Sequence, residues 1–127
     1  MNATVKVAWD ANVYRVPHAI DPQGRPLLLC RSGGALDRAL TSNDAVVIRV
    51  AGAAGQVWIS GWAAPVVERE AVLDFAAANP QGDLLDVGRG YGLYRIDVAE
   101  VRLQRASGEL IEIDVADYVS ALSGPVT

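Results

Sequence analysis

The chain is poor in the residues that most often carry catalysis and metal binding. It has one histidine, His18, and one cysteine, Cys30, among 127 residues. A single cysteine excludes an internal disulfide, and no Cys/His spacing suits a metal. One isolated histidine gives no basis for a Ser-His-Asp arrangement. Lysine is as scarce: Lys6 stands alone against ten arginines. Any anion site is therefore expected to rely on arginine or backbone N–H groups. Acidic residues outnumber basic ones, 15 to 11, for a net charge of −4. No basic block exists, so nucleic acid is not an expected partner. No apolar run reaches the ~18 residues of a membrane helix, so no membrane partner is expected either. The first residues, MNATVKVAWD, lack the basic-then-apolar pattern of a signal peptide. A cytoplasmic location is the expectation.

What is present points to one globular domain, residues 1–127. Hydrophobic residues make up 51% and charged residues 20%, a balance that buries a core. No repeat or linker divides the chain. Asn12 to Ile20 reads as a strand with Tyr14, Val16, His18 and Ile20 on one face. Pro17 cannot donate to a ladder, which predicts an edge or a bulge there. Asp21-Pro22-Gln23-Gly24 has turn chemistry, with proline presetting φ and glycine accepting φ > 0. Pro26 to Cys30 is the returning strand. Ser32 is the expected cap of a short helix over Ala35 to Leu40, with Asp37 in its first turn.

Ala45 to Val50 and Gln56 to Ala63 read as two further strands. Trp58, Ser60 and Trp62 share one face of the second. Gly61 permits a bend or the close approach of another backbone. Val72, Phe75 and Ala76 mark a helical stripe within Pro65 to Asn79. Tyr91 to Arg105 is a long strand whose apolar residues change face. Tyr94, Ile96 and Val98 occupy even positions, then Ala99, Val101 and Leu103 odd ones. Such a swap requires a bulge or a sharp coil, as where a barrel strand turns a corner. Leu110 to Ile113 returns, and Asp114 begins a third helix reaching Leu122. Short connections among six strands predict an antiparallel sheet closed into a small barrel.

Several groups are candidates for chemistry. Gly88-x-Gly90-x-Gly92 invites a nucleotide-binding reading, but a strand follows it where a dinucleotide fingerprint needs a helix. Turn glycines are the plainer account, although Arg89 could touch an anion. Asp83, Asp86 and Asp97 flank the loop, as cation ligands or as solvated carboxylates. Arg31-Ser32-Gly33-Gly34 precedes a helix start, where free N–H groups attract phosphate; Arg38 and Arg49 add charge. The alternative is an ordinary capped helix with arginines in solvent. Trp58 and Trp62 offer flat platforms for an isoalloxazine or porphyrin plane, or else pack in a core or dimer interface. His18 could serve as a haem ligand or an acid/base, or is structural, and Cys30 reads as a buried thiol.

The segments VYRVPHAIDPQGRPLLLC, GGALDRAL, AVVIRV and VWISGWA follow the order of the FMN-binding split barrel. The chain resembles that superfamily, the pyridoxamine 5′-phosphate oxidase-like proteins, from about Asn12 to about Leu122. GDLLDVGRGYGLYRIDVAEVRL and EIDVADYVSAL are similar to actinobacterial members related to haem-utilisation proteins. The resemblance implies a mainly β, six-stranded antiparallel split barrel with helices. It also implies a homodimer with FMN, a small-molecule ligand, in a cleft between subunits, and an FMN-dependent oxidoreductase if the protein is an enzyme. By position, Arg31, Ser32 and Arg38 correspond to the residues that hold the FMN phosphate, and Trp58 or Trp62 would line the ring. Two alternatives stay open: a cofactor-free homodimeric binding or regulatory module, which the scarcity of lysine favours, and a haem-binding protein using His18.

Overall fold

The computed structural model describes residues 2–52, 55–78, 90–105 and 107–115. Seven strands and two helices run in the order β1 (Asn2–Val7), β2 (Tyr14–Ile20), β3 (Pro26–Arg31), α1 (Ala35–Ser42), β4 (Ala45–Gly52), β5 (Gly55–Val66), α2 (Arg69–Ala78), β6 (Tyr91–Gln104) and β7 (Leu110–Ile113). The strands form one antiparallel sheet in the order β3-β2-β1-β4-β5-β6-β7. A further pairing of β3 with β6, from Leu27↔Arg95 to Arg31↔Tyr91, closes six of them into a barrel. β7 extends the sheet beyond β6.

β1 is the element the sequence reading leaves out. Ala3, Val5 and Val7 are buried while Lys6 is exposed, the alternation of a strand with one face on a core. β1 pairs with β2 on one side and β4 on the other, so the barrel needs it. The third expected helix lies outside the described residues save for its start.

The change of face in β6 has its predicted cause. The β5–β6 register runs Ser60↔Glu100 and then Gly61↔Val98, leaving Ala99 as the extra residue of a bulge. Ile96 before it and Val101 after it are both fully buried. Gly61 sits opposite the bulge with no room for a side chain: a Cβ there would come 2.0 Å from the Asp97 carbonyl oxygen. Pro17 also acts as expected. The β2–β3 ladder begins only at His18↔Leu28, whereas Pro17 pairs on the β1 side with Asn2.

Two apolar clusters lie on opposite sides of the sheet. Val5, Leu28, Ile48, Ile59, Ile96 and Val101 fill the barrel, and Leu36 and Leu40 of α1 close one end of it. Ala19, Leu27, Leu29 and Leu93 point outward and are covered by Ala71 and Phe75 of α2. Phe75 is completely buried, with Val72 and Ala76 packed beside it, the stripe expected from their spacing. One half of the barrel wall is thus roofed by α2. Among the described residues, no helix covers the outer face of β1, β4 and β5.

A buried carboxylate ties the β2–β3 turn to β6. Asp21 is 4% exposed. Its Oδ1 accepts from the backbone N–H groups of Gln23 and Arg25, and its Oδ2 meets Nε of Arg25 at 2.9 Å and Nε of Arg95 at 3.6 Å. Gly24, at φ 82°, completes the turn.

Candidate functional site

The uncovered outer face is built as rows across the strands. One row runs Thr4, Arg49, Trp58, Arg102, Glu112, each directly opposite the next in β1, β4, β5, β6 and β7. The next contains Lys6, Val47, Ser60 and Glu100. Alternation on β5 sends Ile59, Gly61 and Ala63 inward and leaves Trp58, Ser60 and Trp62 outside, as their spacing predicts.

Trp58 is the centre of this face. Its indole N–H donates to Oε1 of Gln104 at 3.2 Å, which fixes the ring. The guanidinium of Arg49 lies 5.5 Å from the ring centroid, within cation–π range. A hollow flanks the indole on each side. The larger, about 420 Å³, is lined by Val47, Trp58, Ser60, Arg102, Gln104 and Leu110. The smaller, about 190 Å³, is lined by Thr4, Lys6, Val13, Val47, Arg49 and Trp58. Trp62 lies further along the same face, half exposed and outside both hollows. Arg102 pairs with Glu100 on its own strand.

The turn from β3 into α1 holds Arg31, Ser32 and Arg38. Its chemistry differs from the expectation. Ser32 does not cap the helix: Gly34 is the N-cap, and no side chain caps it. The backbone N–H of Ser32 donates to the Gly90 carbonyl. Asp37 supplies the negative charge at this helix start. Its Oδ2 accepts from the Gly33 N–H at 2.8 Å, and its Oδ1 accepts from the Tyr94 hydroxyl. Both bonds favour the carboxylate, Tyr94's most, and hold its pKa below the usual value. Arg38 donates to the Gly33 carbonyl at 2.7 Å. Arg31 is exposed and borders a hollow of about 350 Å³ with Tyr14, Val16, Cys30, Leu36 and Tyr91.

The two groups proposed for one ligand are therefore not in one pocket of a single chain. Arg31 lines a hollow at the end of β3, and Trp58 lines hollows on β4, β5 and β6. Arg49, expected near the helix start, stands over Trp58 instead. Gly88 and Arg89 of the glycine loop, with Asp83 and Asp86, lie outside the described residues. Gly90 has φ 115° and leads directly into β6, the behaviour of a turn glycine. Asp97 is exposed, opposite Trp62.

His18 is 1% exposed inside the barrel wall. Burial lowers its pKa to about 4, so it is neutral at neutral pH. At that burial its imidazole is not presented to either hollow beside Trp58. Cys30 is buried as expected. Burial, and next the charge of Asp37, push its thiol up to about 12, which excludes a reactive thiolate at neutral pH.

No family model matches the chain, and no curated protein matches it significantly. Solved structures do. A NimC/NimA family protein from Clostridium acetobutylicum overlays on 88% of this chain and 84% of its own, with a TM-score of 0.69 at 12% identity. A protein related to general stress protein 26, of the pyridoxinephosphate oxidase family and from the same organism, covers 92% and 87% with a TM-score of 0.66 at 11% identity. HutZ, the haem storage protein from Vibrio cholerae, covers 85% and 89% with a TM-score of 0.65 at 14% identity. The fold is the split barrel. At such identities the likeness is one of fold alone, and function has to be argued from the site.

Lys6 is the residue that sequence reasoning set aside. It lies more than forty positions from Arg49 in the sequence. β1 carries it beside Arg49 and Trp58. The alternation of Ala3, Val5 and Val7 with Thr4 and Lys6 was the signal that could have placed it.

Proposed function

We propose that this protein binds FMN as a symmetric homodimer, with the flavin held on the uncovered sheet face. Trp58 carries the argument. A tryptophan fixed by Gln104, stacked by Arg49 and flanked by two hollows is a platform for a flat, anionic ligand. The larger hollow, about 420 Å³, is within the usual range for ligand sites, about 300–1,000 Å³. Ser60, Arg102 and the amide of Gln104 offer donors to ring oxygens and nitrogens. Bound flavin would supply redox chemistry, and these residues would orient it and set its electrostatics. A pyridoxinephosphate oxidase-family neighbour is consistent with such a cofactor.

The same face supports the dimer reading. Val13, Val47, Trp62 and Leu110 are exposed on or beside it, Trp62 at 52% and Leu110 at 51%. A second copy packed there would cover them and enclose the hollows. The test is a visible absorption spectrum of purified protein, an FMN titration followed by flavin fluorescence, and light scattering. A colourless protein that leaves FMN fluorescence unchanged would exclude the flavin reading.

One observation favours a second reading, the cofactor-free dimeric module. Asp37 already occupies the helix start where the resemblance places the phosphate. This reading predicts a dimer whose melting temperature does not move when FMN or haem is added.

A further inference from the structure

Among the described residues, two places could take a phosphate, and they differ in what already fills them. At the β3–α1 turn the Asp37 carboxylate takes the Gly33 N–H, and the Arg38 guanidinium is bound to the Gly33 carbonyl. A phosphate arriving there would meet a carboxylate held close against the backbone. Beside Trp58 the situation is reversed. Arg49 forms no ion pair among the described residues, and the carboxylate whose charge Lys6 feels, that of Asp10, does not line the hollow. Lys6 directs its ammonium at the backbone carbonyl of Asp10, and Arg49 lies over the indole. Two cations and the Thr4 hydroxyl surround a hollow of about 190 Å³ with no carboxylate among its lining residues.

We propose that the hollow between Thr4, Lys6, Arg49 and Trp58 is the phosphate subsite of this protein, for a phosphate monoester whose ring lies on the other side of the indole. This rests on the flavin reading for the identity of the ring, but the phosphate site stands on its own residues. The registry of the sheet builds it. Thr4 is directly opposite Arg49, and Arg49 directly opposite Trp58. Lys6 is the diagonal neighbour of Arg49, a spacing long side chains bridge. Arginine offers a planar fork and lysine a mobile point charge, which together suit a tetrahedral dianion. Trp58 divides this hollow from the larger one, so a ligand with a ring at one end and a phosphate at the other spans the indole. Lys6 itself reaches the site only because the first strand runs between β2 and β4.

The test compares FMN with riboflavin, which lacks the phosphate, by flavin fluorescence on the full-length protein. FMN should bind at least about tenfold more tightly, the scale of charge-assisted phosphate contacts. Lys6→Gln should reduce that preference while riboflavin binding is little changed; Arg49→Gln, which also removes the guanidinium over the indole, should reduce it with a smaller loss of riboflavin binding, and the pair should abolish the preference. Arg31→Gln and Arg38→Gln should leave it intact. Phenyl phosphate, followed by its effect on melting temperature, separates the two proposals. If neither flavin binds but phenyl phosphate stabilises wild type and not the Lys6→Gln/Arg49→Gln pair, the flavin reading fails and the phosphate subsite stands. If the preference for FMN survives in that pair, or is lost in the Arg31 and Arg38 variants, the subsite is wrong and the flavin reading stands. If neither flavin nor phenyl phosphate binds, both fall. All four positions are on the surface, and circular dichroism confirms that the variants fold.

Discussion

Gly61 of β5 lies against the backbone of Asp97 in β6, at the point where β6 gains a residue. The contact leaves no space for a β-carbon. Gly61→Ala should cost about 1–3 kcal/mol, the range for overpacking a close contact. Urea denaturation measures it. A variant as stable as wild type would mean that the bulge can shift by one residue.

Tyr94 and Asp37 join β6 to α1. Burial, and next the hydrogen bond to Asp37, raise the Tyr94 hydroxyl to about 12, so it is a donor at all ordinary pH. Tyr94→Phe should cost roughly 1–2 kcal/mol at neutral pH, less than a fully buried charged bond because Asp37 is partly exposed. The pH dependence has a definite sign. Asp37 has a folded pKa below its unfolded value of 3.8. Its contribution is complete above that value and is lost as pH falls through the folded pKa. The gap between wild type and Tyr94→Phe should therefore close in acid, as read by urea midpoints across pH.

Burial shifts the pKa of His18 downward. Its folded pKa is about 4 against 6.5 unfolded. Between those values the unfolded chain binds a proton that the native chain refuses. Stability should fall as pH drops from 6.5 to 4, by on the order of 3 kcal/mol in total from this group. His18→Gln should flatten that slope whatever it does to stability at neutral pH.

Asp21 holds two arginines with little access to water. Asp21→Ala takes the buried carboxylate from Arg25 and Arg95, leaving Arg95 only the more distant Glu68, and removes the acceptor for two backbone N–H groups. A loss of about 3 kcal/mol or more is expected, since breaking a buried pair from one side leaves a charge behind. Asp21→Asn should recover part of it through the backbone bonds. Thermal denaturation of both variants decides.

Trp58→Leu should weaken FMN binding by about tenfold or more through loss of the stacking plane. Trp62→Ser should instead raise the monomer fraction in light scattering. Equal effects of the two variants on flavin affinity would move the ring site along the face.

Local chemistry made much of the barrel legible. Asp21 to Gly24 announced a turn, Pro17 announced the end of a ladder, and the parity swap from Ile96 to Val101 announced a bulge. Each depends on residues a few positions apart. The site was less readable because its parts meet across strands. Nothing near Asp37 in the chain indicates that Tyr94, 57 residues away, will donate to its carboxylate, so Ser32 looked like the cap. Lys6 meets Arg49 only through the β1–β4 ladder. A short strand of Ala, Thr, Val and Lys is easily passed over when its partners are not yet known.

The pairing of β3 with β6 joins residues sixty to sixty-eight positions apart. Until β6 emerges from the ribosome, β3 has no partner on one side, and Leu27 and Leu29 have no Leu93 beside them. A nascent chain ending at α2 is thus a sheet with two open edges, β3 and β5, and an incomplete floor beneath Phe75. Closure is a late event by necessity, because its last stave is made last. A shortened chain lacking β6 should aggregate through those edges rather than persist as a smaller barrel.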